Sequence, residues 1–377
     1  MTGAPVPFLD LAAQHAEVRA ELDGAWADIT ATNAFIGGPH VAAFEAAFAG
    51  YCGTRTCVGV GNGTDALELI LRALGIGTGD EVVVPANTFV ATVEAIVTAG
   101  ATPVFVDVDD DTLLVTADAI AAAIGPRTAA AIVVHLYGQM PDMDAIGAVA
   151  ERTGIALVED AAQAHGARWL ERRAGAYGRA AAFSFYPGKN LGAFGDAGAI
   201  TTDDIELADS IRSLADHGRR LDTRHEHDAS GRNSRLDALQ AAVLSIKLKR
   251  LDEWNSARRN ASDEYRKRLD QTPCRVLGRD PRSVPVHHLE IVRVPDRPRV
   301  LGVLDAHGIG WGLHYPIPVH RQPPFAQFAR EPYPVTERAA QEIVSVPMFP
   351  TITSREIEQV CDVLVAATQG SASGTRS

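Results

Sequence analysis

Residues Thr56–Leu74 read TCVGVGNGTDALELILRAL. The β-branched run Thr56–Gly61 enters a turn of asparagine and glycine, and Ala66–Leu74 then carries apolar residues at helical spacing. A strand that passes through glycine into a helix leaves backbone N–H groups free at the helix N-terminus, where the macrodipole favours an anion. Phosphate is the obvious one. Gly61-x-Gly63-x-x-Ala66 also satisfies the relaxed dinucleotide fingerprint, which needs an acid at the end of the next strand. Here Asp80 and Glu81 precede that strand and Pro85 and Ala86 follow it. Phosphate held without a dinucleotide is the better reading, and nicotinamide binding the weaker one.

Downstream the pattern alternates. Glu81–Val84, Pro103–Val108, Ala129–His135 and Ile155–Glu159 are short apolar runs, interleaved with helical stretches at Val90–Ala99, Ala117–Ile124 and Met143–Thr153. Such alternation predicts an α/β fold with a buried, mostly parallel sheet and helices on both faces. Ligands in such sheets bind beyond the carboxyl ends of the strands. Upstream, Leu11–Thr32 reads as one amphipathic helix with Trp26 on its apolar face, NAFIGGP breaks it, and a second helix runs through Val41, Phe44 and Phe48.

The chain has 377 residues, beyond the size at which one core usually stops growing. We expect a large domain over 1–250 with a helical arm at 1–50, a smaller α+β domain over 251–370, and a disordered polar tail at 371–377. A net charge of −12 and the lack of a basic stripe argue against nucleic-acid binding. No apolar run is long enough for a bilayer and the N-terminus lacks the pattern of a secretory leader, so a cytoplasmic protein without membrane contact is expected. The four cysteines show no metal-binding or disulfide spacing, so no metal is expected.

One lysine stands apart. Lys189 lies in AFSFYPGKNLGAFGDAGAI (Ala182–Ile200), a glycine-dense loop after an apolar run, with no acid for several residues on either side. It is a solvated turn lysine or an amine nucleophile that forms a Schiff base. The other strand ends bear on the choice. Phe89 follows the second strand, His135 and Tyr137 the fourth, and Asp160 the fifth, where it is equally readable as a helix N-cap. A phosphate nest at Gly63–Thr64, an aromatic at Phe89, a carboxylate at Asp160 and an amine at Lys189 are together the parts of a pyridoxal 5'-phosphate site. The carboxylate would pair with the pyridinium N–H and stay ionised beside that cation.

On GNGTDAL (Gly61–Leu67), PANTFVAT (Pro85–Thr92), EDAAQAHGA (Glu159–Ala167), SFYPGKNLGAFGDAG (Ser184–Gly198), RNSRLDALQAA (Arg232–Ala242) and HYPIPVH (His314–His320), the chain resembles the DegT/DnrJ/StrS family of pyridoxal-phosphate nucleotide-sugar aminotransferases. The resemblance spans nearly the whole chain and implies the aspartate aminotransferase type of fold, the type I fold of such transferases. It also implies roles. Lys189 would hold the cofactor aldehyde and shuttle a proton, Asp160 would bind the pyridine nitrogen and Gln163 the phenolic oxygen. Phe89 would stack on the ring, and Gly63, Thr64 and Ser184 would hold the phosphate. Asn233 would reach the phosphate of a neighbouring subunit, making a homodimer with shared sites. Tyr186 would lie beside the cofactor, and His314, Tyr315 and His320 would approach the sugar nucleotide. Arg219 and Arg220 are candidate diphosphate contacts. Because the chain keeps Lys189 where dehydratase relatives carry histidine, transamination is implied.

The expected reaction carries an amino group from L-glutamate to a dTDP-linked keto-deoxysugar, in its simplest form dTDP-4-keto-6-deoxyglucose to dTDP-4-amino-4,6-dideoxyglucose. Amination at C3 of the 3-keto isomer is the alternative. A non-catalytic regulator that binds the cofactor would have lost Lys189, Asp160 or the phosphate turn, and none is lost.

Overall fold

In the computed structural model, which describes residues 4–220, 222–223 and 225–369, the chain is organised around a seven-stranded sheet. Its strands are β1 (Thr56–Val60), β2 (Glu81–Pro85), β3 (Thr102–Val106), β4 (Thr128–Val134), β5 (Ala156–Asp160), β6 (Ala180–Ser184) and β7 (Gly198–Thr202). They lie in the order β1-β7-β6-β5-β4-β2-β3. All pairings are parallel except those of β7, which runs against both β6 and β1.

Side-chain alternation sorts the sheet into two cores. Val82, Val84, Ile132, Val134, Ala180 and Ala182 face one way, with Leu67, Ile70, Ile96 and Ile211 packed on them. Val83, Ala131, Val133, Ala181 and Phe183 face the other, against Phe44, Phe48, Ile146 and Leu244. Period-2 strands buried on both faces read as continuous apolar runs, which is why the sequence shows no polar alternation there. Glu81, buried at the start of β2, is held by Arg127 at 2.8 Å and Arg330 at 2.6 Å, and the Arg330 bond leads in keeping its carboxyl below the usual range.

A third core joins helices Leu251–Leu269, Arg297–Ala306 and Ser354–Gln369 to a small antiparallel sheet of Arg275–Val276, Glu290–Arg293 and Ile343–Val346. We infer that this unit is the smaller domain. Its core also takes Val6, which bridges to Ile309. In return Val319, Phe325 and Tyr333 pack into the first core of the large sheet.

Leu11–Thr32, expected as one helix, is broken, and the apolar-periodic stretch Leu236–Trp254 is divided as well. Leu11–Thr32 divides into Leu11–Ala16 and Arg19–Thr32, because the chain turns at Glu17–Val18, where Glu17 accepts a 2.9 Å bond from Trp254 Nε1. Trp26 is 60 % exposed rather than on an apolar face. The stretch Leu236–Trp254 divides at Lys249–Arg250, where Leu251 seals the second core and the next helix turns towards the third. The tail expected to be disordered, 371–377, lies outside the described residues. Among the described residues no helix is long and apolar enough to cross a membrane. Cys52, Cys57, Cys274 and Cys361 are unpaired and buried.

Candidate active site

The carboxyl ends of β1, β2, β4, β5 and β6 open into one cavity of about 510 Å³. Gly63, Thr64, Phe89, Asp160, Gln163, Ser184, Tyr186, Lys189, His314 and Tyr315 all line it, so ten of the expected positions converge.

β1 ends in Asn62, whose side chain caps helix Gly63–Ala73 by accepting from Asp65 N at 2.8 Å. The first N–H groups of that helix, Gly63 and Thr64, have no intrahelical acceptor, and both residues line the cavity. Gly63 is obligatory, because a Cβ there would stand 2.8 Å from Ser184 Cβ. The result is a cradle of backbone donors and hydroxyls that fits a phosphate.

Asp160 is the last residue of β5 and does not cap a helix. Its Oδ2 accepts from Thr92 Oγ1 at 2.8 Å, and Thr92 meets Thr88 Oγ1 at 2.7 Å. Oδ1 accepts from Ala162 N at 3.2 Å. Burial raises its pKa above the usual aspartate range, and the Thr92 and Ala162 bonds and the charge of Lys189 only partly offset that. A buried acid with that imbalance is matched by a cation against it, such as a pyridinium N–H.

Gln163 is held at both ends of its amide. Oε1 accepts from Tyr137 N at 2.6 Å, and Nε2 donates to the Tyr315 hydroxyl at 3.2 Å. Tyr137 adopts a left-handed φ of 62° at the end of β4 and donates to His314 O at 2.9 Å, tying the sheet to the loop that carries His314 and Tyr315. Phe89 is half exposed at the cavity mouth, its ring tilted on Tyr315 with centroids 5.4 Å apart.

Lys189 follows β6 in a loop closed by Lys189 N to Tyr186 O at 2.8 Å and Ala193 N to Phe185 O at 2.8 Å. Gly192 permits that closure, since a Cβ there would lie 2.2 Å from Pro187 O. Burial lowers the Lys189 amine to about 8, against the opposing charge of Asp160. That is the direction an amine nucleophile needs. The arrangement can hold a phosphate at one end, an aromatic ring between Phe89 and the sheet, a ring cation at Asp160 and an aldehyde at Lys189.

Four expected positions do not line this chain's cavity. His320 is 1 % exposed, with Nε2 3.0 Å from Glu337 and its ring edge-on to Tyr333, so it is core packing rather than a pocket wall. Arg219 is paired to Asp216, and Asn233 bridges back to Asp216 on an exposed loop. Arg220 is taken up by Asp222 and Glu226. Conversely, His288, Asp196, Phe8 and Leu9 line the cavity. Asp196 lies in the glycine-dense loop that drew attention to Lys189 but was not singled out there, while His288, Phe8 and Leu9 sit neither in a glycine turn nor at a strand end of the large sheet, so no sequence signal marked those three.

The family model for DegT/DnrJ/EryC1/StrS aminotransferases matches residues 17–365. The chain is 46% identical over 362 residues to dTDP-3-amino-3,4,6-trideoxy-alpha-D-glucose transaminase of Streptomyces venezuelae, covering 95% of each. It is 42% identical to dTDP-3-amino-3,6-dideoxy-alpha-D-galactopyranose transaminase of Aneurinibacillus thermoaerophilus, covering 95% of this chain and 98% of that one. Among solved structures, S. venezuelae DesV in complex with a ketimine intermediate superposes with a TM-score of 0.94 at 45% identity, covering 97% of this chain and 99% of that one. NtdA of Bacillus subtilis with bound cofactor PMP gives a TM-score of 0.90 at 30% identity, covering 98% of this chain and 86% of that one. The fold is the type I fold of pyridoxal-phosphate-dependent sugar aminotransferases, and pyridoxal phosphate is the cofactor of the family. The chain belongs to the DegT/DnrJ/EryC1/StrS aminotransferase family and is an enzyme of the aminotransferase class.

Proposed function

We propose that this enzyme binds pyridoxal phosphate in the cavity at the strand ends and transfers the amino group of L-glutamate to the C3 keto carbon of a dTDP-linked deoxyhexose. The observation that carries the reading is the convergence of Lys189, Asp160, Gly63 and Thr64 on one cavity. Gly63, Thr64 and Ser184 hold the phosphate, Asp160 pairs with the ring nitrogen, Gln163 orients the phenolic oxygen and Phe89 covers the ring. The bound cofactor supplies an electron sink for the carbanion formed at the substrate carbon. Lys189 Nζ takes the proton from that carbon and delivers one in the return direction. Tyr186, His314 and Tyr315 face the sugar.

Position on the sugar is where the expectation changes. C4 amination was the simplest reading of the sequence, but the relatives at 46% and 42% identity are named for amino groups at C3. C4 amination is the second reading. Supplying glutamate with either keto isomer and locating the new C–N bond by NMR tests it, and a bond at C4 alone overturns the C3 assignment. We also propose a homodimer, with Asn233 and Arg219 serving the partner's cavity, since neither lines the cavity of its own chain.

A further inference from the structure

Beside Lys189, the wall of the cavity carries a histidine whose hydrogen-bonding state is dictated by a chain of buried amides. Asn255, 1 % exposed, donates from Nδ2 to the His165 carbonyl at 2.8 Å. A carbonyl can only accept, so the Asn255 Oδ1 must point the other way. There it accepts from Asn190 Nδ2 at 2.9 Å. The same Nδ2 donates to the Val286 carbonyl at 2.9 Å, which fixes the amide of Asn190 in turn. Its remaining atom, Oδ1, is an acceptor and lies 3.2 Å from His288 Nδ1. His288 Nδ1 must therefore carry the proton.

Two carbonyls at the far end of the relay thus set the tautomer at the near end. Burial, and the positive charge of Lys189 after it, hold His288 well below the ordinary histidine range, so the ring is neutral. A neutral ring protonated at Nδ1 has one vacancy for hydrogen bonding, the Nε2 lone pair. His288 lines the cavity together with Lys189, Tyr315 and His314.

We propose that His288 is a specificity-determining residue for the acceptor substrate, its Nε2 accepting a hydrogen bond from a hydroxyl of the keto sugar next to the carbon that is aminated. The proposal rests on the aminotransferase reading above. An acceptor of fixed polarity rewards a hydroxyl and leaves a sugar that lacks it without a partner, the asymmetry by which buried polar sites discriminate. Glutamate needs no such acceptor, so the two half-reactions separate the role.

The test is made on the full-length holoenzyme with His288→Phe, which keeps a ring and removes the acceptor, and His288→Gln, whose amide oxygen restores one. With His288→Phe, kcat/KM for the keto sugar is expected to fall roughly tenfold or more. The glutamate half-reaction, followed by the cofactor's absorbance, stays within about twofold. His288→Gln recovers part of the loss, and the Phe variant no longer prefers the hydroxyl-bearing sugar to its deoxy analogue. Equal losses in both half-reactions, which a contact to Lys189 or a structural role would produce, overturn the proposal, as does an unchanged sugar half-reaction. A separate readout needs no turnover. ¹⁵N NMR of histidine-labelled protein, with His288 assigned by its loss in the Gln variant, should show a neutral ring protonated at Nδ1. An Nε2-protonated or cationic ring overturns the proposal. Failure of the wild type to react with glutamate at all would instead sink the parent reading.

Discussion

Lys247 Nζ donates to the Gly192 carbonyl at 2.6 Å, so a helix of the large core grips from below the loop that carries Lys189. The lysine is 1 % exposed. Its Nζ lies 3.0 Å from His15 Nε2 and 4.7 Å from the centre of the Phe194 ring. Burial lowers its amine to about 8, while burial and the Lys247 charge together lower His15 to about 4. At neutral pH His15 is therefore the neutral acceptor and Lys247 the donor.

Replacing that donor tests the grip. Lys247→Met preserves most of the volume but leaves the Gly192 carbonyl unpaired, a loss of about 1–3 kcal/mol. The urea midpoint should fall and cofactor should dissociate faster. An unchanged midpoint would show that the loop holds its shape without this bond.

The amine of Lys189 attacks only when neutral. Because folding brings its pKa down to about 8, capture of pyridoxal phosphate by the apoprotein should rise roughly tenfold per pH unit below that value and level off above it. Stopped-flow absorbance would report the curve. Lys189→Ala should give no borohydride-trapped adduct at any pH.

Asp160→Asn removes the charge but keeps an oxygen for Thr92 or Ala162. Since burial already raises the acid's pKa, stability of the apoprotein should change little, while kcat should drop by roughly 10²–10³. A variant that loses stability in proportion to activity would contradict a role aimed at the ring nitrogen.

Gly63→Ala forces a methyl group to within 2.8 Å of Ser184 Cβ, so the turn and β6 must move apart. The cost is about 1–3 kcal/mol of stability. Affinity for pyridoxal phosphate should fall by at least about tenfold, since a displaced nest loses charge-assisted hydrogen bonds. Isothermal titration of the apoprotein measures it.

For the proposed dimer, Lys189→Ala and Asn233→Ala subunits can be mixed. Shared sites predict partial recovery of turnover in heterodimers, and none in either parent. Verified subunit exchange without recovery would remove Asn233 from the partner's site.

The sequence was most legible where local chemistry and tertiary role coincide. Gly63 and Thr64 announce an anion site because the strand–glycine–helix order creates the free N–H groups directly, and the structure puts both in the cavity. Asp160 was placed correctly at a strand end, though it closes β5 rather than opening a helix. Reversal of β7 left no trace in its composition, since a strand buried on both faces looks alike in either direction. His288 was invisible for a different reason. Its polarity depends on Asn190 and Asn255, which are far from it and from each other in sequence, and no local pattern encodes such a relay. His320 misled because HYPIPVH reads as one rigid loop, whereas its last histidine turns inward onto Glu337 and Tyr333.

The strap at Val6–Phe8 has a consequence for biosynthesis. Val6 pairs with Ile309, Phe8 O accepts from Met348 N at 3.3 Å, and the Phe8 ring lies parallel to His314 at 6.0 Å, so the cavity's first wall is set against its last. Emerging from the ribosome, the large sheet can form early, but the reaction chamber closes only when the final quarter of the chain arrives. Until Ile309, His314 and Met348 have been made, Lys189 lacks the wall that the Phe8 strap and the His314 loop form together.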